Sequence, residues 1–303
     1  MFSKRRKIIR AVQEVNRLSP KLPEDSKNID IYTVLLAVLI GSFIIVISIS
    51  QFIFLRQNLK RRLLSQKMFG YDLPRIVSIL IVYAHGICFV LTYINGLLTM
   101  LFVTLLSFQT FLNLRDRIRE YRKTILKFIA CGSLDEFRIQ EHLGNFRQIV
   151  DCSNCVEDGL SVCSLLLIGS NVSCFFLIFS GIAFGDQAYH HKMVLLFTIC
   201  GFAMSVLEFL SVVCSANKVR EEDEILKKLV VRLSERGICH FSHQENRISL
   251  SKLHCLALLA DTIRGTELEL TGWNLFALKN NLILSVVGLM ITYGVLIFQF
   301  GHQ

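Results

Sequence analysis

Glu208 is the first residue whose type and position suggest chemistry, because it stands alone as an acid inside the apolar run Met193–Ala216. An ionisable group at membrane depth is costly, and it is a functional candidate by default. Its place toward the cytosolic half of the run also lets it reach water or an inner cavity, so a structural role has equal standing. Two thiol patterns invite a metal reading: Cys152-x-x-Cys155 and Cys239-x3-His243. Thiolate and imidazole are zinc ligands, but these patterns lie far apart and lack a second tight pair, so no metal site is expected. Asn171-Val-Ser173 is a glycosylation pattern, yet it falls inside another apolar run, where it cannot be modified. No nucleophile, base and orienting group stand at recognisable spacing. Neither an enzyme nor a cofactor is expected.

These residues must be positioned by long apolar segments. A helix needs about 20 mostly apolar residues to cross roughly 30 Å of hydrocarbon. Ile29–Leu55, Ile76–Ile94, Leu97–Leu114, Leu160–Phe184, Met193–Ala216 and Asn281–Phe300 all qualify. The first is too long and lacks the small-residue cleavage site of a signal peptide. A spanning segment must satisfy its own backbone, so all six are read as helices. The fold class is therefore all-α, a polytopic transmembrane helix bundle with long helical cytosolic extensions.

The formal net charge of +9 raises a nucleic-acid reading. The basic residues sit beside the spans, as in cytoplasmic loops, and no soluble domain remains to carry a binding face. No nucleic-acid partner is expected; the bilayer is. Of the ten cysteines, Cys88, Cys163, Cys174, Cys200 and Cys214 lie in apolar runs and act as small hydrophobes. The other five fall in segments read as cytosolic, a reducing compartment.

Loop charge sets the topology. Basic segments follow the first span (Arg56, Lys60, Arg61, Arg62, Lys67, Arg75) and fill 115–159 and 217–280. The link Asn95–Gly96, the segment Gly185–His191 and the tail Gly301–Gln303 carry little charge, which puts the carboxyl terminus outside the plasma membrane. The expected division is a basic segment at 1–28, three spans in 29–114, cytosolic helix in 115–159, two spans in 160–216, a cytosolic helical anchor in 217–280 and a last span with a short tail in 281–303. One end conflicts: six spans place the amino terminus outside, although it holds Lys4, Arg5, Arg6, Lys7 and Arg10. Either a first helix is absent, or residues 76–114 cross once, as a helix of about 58 Å at 1.5 Å per residue. The Asn95–Gly96 turn signal favours two crossings and an absent helix.

The cytosolic segments read as continuations of the spans. Leu112–Ile129 keeps helical spacing, and Ser133 with Glu136 offers a capping box. In Ala216–Glu235 the residues Ile225, Leu226, Leu229, Val230 and Leu233 form an apolar stripe. Asp223–Lys227 and Glu224–Lys228 are expected to pair at i,i+4 on its other side.

The last span reads NLILSVVGLMITYGVLIFQF. Thr292-Tyr293, five mostly hydrophobic residues and then Gln299-Phe300 match the signature of the last helix of insect gustatory receptors. Gly272, Phe276, Leu278, Asn280 and Leu282 resemble the approach to that helix. The chain thus resembles the insect gustatory receptor family over about its last thirty residues in motif, and in layout over the rest. Family members have seven helices with the amino terminus inside and are usually longer.

The resemblance implies a ligand-gated, non-selective cation channel, a homo- or hetero-tetramer with related subunits, whose pore is lined by the last helix and opened by a small-molecule tastant. On this chain it makes Gln299 and Phe300 the pore and gate residues; without the motif, Phe300 would be an interfacial anchor and Gln299 a helix end. Thr292 and Tyr293 are read as packing residues. A ligand site in the outer half of the bundle draws on Tyr83, His85, Tyr93, Phe175, Phe176, Phe179, His190, His191 and Phe197. Aromatic walls with a few polar groups suit a small organic ligand, whereas core or lipid-facing roles are the plainer reading of each ring. A G-protein-coupled-type receptor, or another polytopic protein without channel activity, is the competing class. Its helices usually carry prolines, but Pro20, Pro23 and Pro74 lie outside the spans. A secondary transporter would show repeated halves, and no repeat is visible.

Overall fold

The structure, a computed structural model, describes residues 9–10, 13–14, 33–38, 41–42, 45, 67–68, 71–72, 75–130, 136–183, 192–242 and 250–301. Side chains are described for most of these outside 67–94 and 233–253. Five helices carry the described chain: α1 Arg75–Ala130, α2 Glu136–Ala183, α3 Lys192–Ser242, α4 Leu250–Gly265 and α5 Asn280–Gly301. The strands are two-residue ladders: β1 Lys67–Met68 pairs antiparallel with β2 Tyr71–Asp72, and β3 Thr271–Gly272 with β4 Phe276–Ala277. The fold is all-α, as the apolar runs required.

Among the described residues, four helices are long and apolar enough to cross a membrane: Asn95–Phe128, Phe137–Ser180, Thr198–Arg232 and Asn280–Ile297. The chain is a membrane protein on this ground. The 56 residues of α1 extend about 84 Å at 1.5 Å per residue, so only part of it can lie in about 30 Å of hydrocarbon. The rest forms the helical extension expected from Leu112–Ile129.

One expectation is corrected. No turn interrupts α1 at Asn95–Gly96; the helix is continuous, and Thr99 Oγ1 donates to the Asn95 carbonyl at 2.7 Å. An Asn-Gly pair is a turn signal where water can take up the freed backbone groups. Inside an apolar run the helix satisfies those groups internally and the turn does not. Residues 76–114 thus belong to one helix rather than two. The span Ile29–Leu55 lies mostly outside the described residues.

The chain divides into two compact units. The first comprises Met1–Ile29, Ser107–Leu165 and Val212–Leu282. Its core is written in heptads, the seam that lets helices pack as in a coiled coil. On α1 the buried positions are Phe111, Leu114, Ile118, Tyr121, Ile125 and Phe128. On α2 they are Ile139, His142, Phe146, Ile149, Ser153, Val156 and Leu160, and on α3 Val212, Ala216, Val219, Asp223, Leu226 and Val230. Two polar contacts accompany these seams. Tyr121 Oη donates to the His142 carbonyl at 2.9 Å, with its ring 5.8 Å from that of Phe146. Arg122 pairs with Glu222 at 3.1 Å.

Asp223 is 3% exposed, so it belongs to the seam and not to the solvent face expected for it. Lys227 Nζ lies 2.8 Å from one carboxylate oxygen, which also accepts the Leu268 N–H at 3.4 Å. Asp223 stands beyond the apolar run that ends at Ala216, outside the spanning segment. Burial pushes its carboxyl above the ordinary value, and the Lys227 contact pulls it back. Glu224 pairs with Arg220 rather than with Lys228, and Ile225 is 41% exposed rather than part of the stripe.

The second unit comprises Asp30–Leu106, Leu166–Ser211 and Ile283–Gln303. Its core is aromatic. Phe175 on α2 meets Phe202 and Phe209 on α3, with ring centroids 5.3 and 6.4 Å apart, and Phe179 meets Phe202 at 6.2 Å. Ser170 on α2 approaches Met100 on α1, Oγ to Sδ 3.9 Å.

Candidate functional site

The signature helix α5 shows two contrasting faces. Ile283, Val286, Met290, Tyr293 and Ile297 are the covered positions, spaced three and four apart along one side. Tyr293 fixes this side to α2. Its hydroxyl and the Ser180 hydroxyl share a hydrogen bond of 2.9 Å, and its ring stands edge-on to Phe176 with centroids 4.6 Å apart. Most of the rest of α5 is open, with only 11% of Asn280–Ile297 buried, although Leu282 and Gly294 are also partly covered. Leu284, Val287, Leu289, Ile291, Val295 and Leu296 are exposed, and so are Ser285, Gly288, Thr292 and Gln299.

The last four residues are not scattered. At about 100° per residue they fall within roughly 60° of each other, on the side opposite the Tyr293 stripe. An exposed helix in lipid carries apolar side chains all round. This one carries a hydroxyl, a glycine, a second hydroxyl and an amide in a line, flanked by leucine, isoleucine and valine. Thr292 Oγ1 donates to the Gly288 carbonyl at 2.9 Å, so its hydroxyl is satisfied within the helix. Thr292 is exposed within this chain, and Tyr293 is partly covered. Gln299 continues the exposed line. Phe300 follows it in the helix; its side chain lies outside the described residues.

Glu208 is the second feature. The residue is 0% exposed within this chain, which corrects its expected access to water or an inner cavity. Both carboxyl oxygens lack a hydrogen-bond partner, as does Nδ2 of Asn171, which is 1% exposed. The Asn171 amide is directed at Glu208 across α2 and α3, but without the geometry of a formed bond. Among the residues of this unit whose side chains are described, Glu208 is the sole acid, and no Lys, Arg or His accompanies it. Asn171 was legible only as an unusable glycosylation pattern. Its proximity to Glu208 depends on how two helices pair, for which the sequence carries no signal.

The ring candidates for a ligand wall separate into groups. Phe175 is 3% exposed and Phe179 half-buried, both against α3. Phe176 faces α5 through Tyr293. Tyr83, His85 and Tyr93 lie on α1 and Phe197 on α3, with side chains outside the described residues, and His190 and His191 fall outside them altogether. Phe202 and Phe209 complete the aromatic core and were missed, because nothing in an apolar run distinguishes an inward phenylalanine from an outward one. Cys152 is buried and Cys155 partly so, while Cys239 and His243 lie outside the described side chains. No group of metal-ligating side chains occurs among the described residues.

Neither a protein-family model nor a curated protein matches the sequence. Solved structures do. The insect olfactory receptor OR5 from Machilis hrabei, in complex with eugenol, aligns with a TM-score of 0.62 at 12% identity, over 90% of this chain and 68% of that one. A second structure of that receptor aligns with a TM-score of 0.58 at 13% identity, over 97% and 76%. The chain has the fold of an insect olfactory receptor. The helical bundle read from the sequence and the neighbours in structure thus agree on the kind of fold.

Proposed function

We propose that this chain is a subunit of a chemosensory, ligand-gated cation channel of the gustatory kind, in which α5 lines the pore. The observation that carries the reading is the line Ser285, Gly288, Thr292 and Gln299 on the open side of a spanning helix. Hydroxyl and amide groups facing hydrocarbon gain nothing, whereas facing a water-filled axis they serve passing ions. A pore built this way needs further copies of α5, supplied by this chain or by related subunits in a tetramer. Its gate is assigned to Gln299 and Phe300, as the Thr-Tyr and Gln-Phe signature implies. The fold shared with an olfactory receptor solved with eugenol supports a small organic ligand, here a tastant, held beside the aromatic groups of α2.

The continuous α1 supports the topology. With residues 76–114 crossing once, the basic amino end and the basic segments 115–159 and 217–280 fall on the cytosolic side of the plasma membrane and the carboxyl end outside, while the basic segment 56–75 falls outside as well.

Cysteine substitution tests the pore assignment. The chain is expressed alone or with related subunits, and current is evoked with a panel of small organic compounds. In Thr292→Cys and Gln299→Cys, a cationic thiosulfonate added from outside is expected to block the current by half or more. Val287→Cys and Ile291→Cys, about 80° or more around the helix from both, are expected to resist, as does the chain with only its native thiols. Equal block at all four positions, or none at any, refutes the pore face. Phe300→Ala is expected to raise the unstimulated current; unchanged gating removes Phe300 from the gate.

A further inference from the structure

The turn between β3 and β4 holds the only two non-glycine residues with positive φ among those described, Trp273 at 52° and Asn274 at 57°. Asparagine tolerates this left-handed region, but for a bulky residue such as tryptophan it is unfavourable by about 1–2 kcal/mol. The strain is held in place by a dense local network. Leu275 N–H donates to the Gly272 carbonyl at 3.0 Å, and Asn274 N–H to Thr271 Oγ1 at 3.0 Å. Thr271 is bonded to Glu157 on α2 twice: its N–H donates to Oε2 at 2.9 Å, and its hydroxyl donates to Oε1. Below the tip, Leu278 N–H donates to the Leu270 carbonyl at 2.9 Å. The ring of Phe276 lies so close over Gly272 that a Cβ there would stand 2.6 Å from it.

This rigid turn presents apolar surface outward. Trp273 is 60% exposed and Leu275 is 69% exposed. Tryptophan is largely buried in most folded chains, and strain that persists at an exposed position marks a use for the presented group. The seven residues that follow Trp273 lead to Asn280, the first residue of α5. The apolar tip is thus continuous along the chain with a helix long and apolar enough to span the membrane. A tip of three residues is far smaller than the 20–30 residues a side of a stable protein interface. A bilayer interface needs no such area: indole settles at the headgroup level with its ring in the acyl boundary and its N–H in the wet layer.

We infer that the Trp273–Leu275 turn is a lipid-docking wedge that seats the chain in the bilayer interface where α5 enters it. Its ligand is the glycerol and upper acyl region of phospholipid. The inference rests on the spanning reading of α5 and not on channel activity.

Trp273 is the single tryptophan of the chain, so the unaltered protein carries its own probe. The purified full chain is reconstituted into phosphatidylcholine vesicles, unlabelled or containing phosphatidylcholine brominated near the glycerol or deep in the chain. Retention on floated vesicles after an alkaline wash confirms spanning independently. The expected result is blue-shifted emission that loses half or more of its intensity to the shallow brominated lipid, less to the deep one, and little to aqueous acrylamide. Trp273→Phe supplies the tyrosine background. Emission quenched by acrylamide but not by brominated lipid shows a turn in water and overturns the inference. Blue-shifted emission that neither quencher reaches shows a turn buried against protein, such as a second copy of this chain, and overturns it as well.

Discussion

Replacing Tyr293 by phenylalanine separates the two contacts that hold α5 against α2. The substitution keeps the edge-on ring 4.6 Å from Phe176 and removes only the 2.9 Å bond to Ser180. A hydrogen bond of this kind contributes about 0.5–1.5 kcal/mol, and between helices in membranes measured values average about 0.6 kcal/mol. Tyr293→Ala also removes the aromatic pair, about 0.5–1.5 kcal/mol, and a half-buried ring whose full burial counts for about 3–5 kcal/mol. The expected losses are thus about 0.6–1 kcal/mol for Tyr293→Phe and about 2–3 kcal/mol for Tyr293→Ala. Each kcal/mol moves the melting temperature by about 2 °C in a chain of this size. Detergent unfolding of such proteins is a rate process, so the variants are compared at one scan rate. The assay is a double-substitution cycle with Ser180→Ala, read as apparent Tm in detergent. If the bond exists, Tyr293→Phe, Ser180→Ala and the double variant lose nearly the same stability. Additive losses show that the two hydroxyls do not meet, and the packed face of α5 has then been misassigned.

Two further outcomes follow from the described side chains. Glu208→Gln keeps the size of a fully buried side chain and removes a carboxyl with two partnerless oxygens. It is expected to raise the apparent Tm, because an isolated buried charge is far costlier than a buried neutral amide; a fall shows that the carboxyl holds something beyond Asn171. Gly272→Ala places a Cβ 2.6 Å from the Phe276 ring, an overpacking expected to destabilise by about 1–3 kcal/mol. Adding Phe276→Leu is expected to restore most of that loss in the same thermal scan, and failure to rescue puts the cause elsewhere.

The heptads of the first unit were partly legible. Leu226 and Val230 were read as buried and are, because helical periodicity alone decides that an amphipathic stripe turns inward. Asp223 was read as solvent-facing and is buried, because a charge can occupy a seam position when one helix supplies Lys227 and the loop after α4 supplies the Leu268 N–H. That arrangement brings together residues 45 apart, and no local spacing announces it.

Apolar length by itself determined that this chain spans a membrane as helices, since hydrocarbon leaves the backbone no other way to satisfy its donors and acceptors. The Thr-Tyr and Gln-Phe spacing singled out the last helix as the candidate pore helix. Tertiary structure decided which way that helix faces: Tyr293 is held by Ser180 and Phe176, which turns Thr292 and Gln299 to the open side. It also decided that Asn95–Gly96 stays helical, that Asn171 points at Glu208, and that Trp273 stands out in a strained turn braced by Glu157. The facing of α5, the approach of Asn171 to Glu208 and the bracing of the Trp273 turn each depend on a partner far away in the chain. Side-chain type fixes what a residue can bond to, but only packing fixes what is within reach.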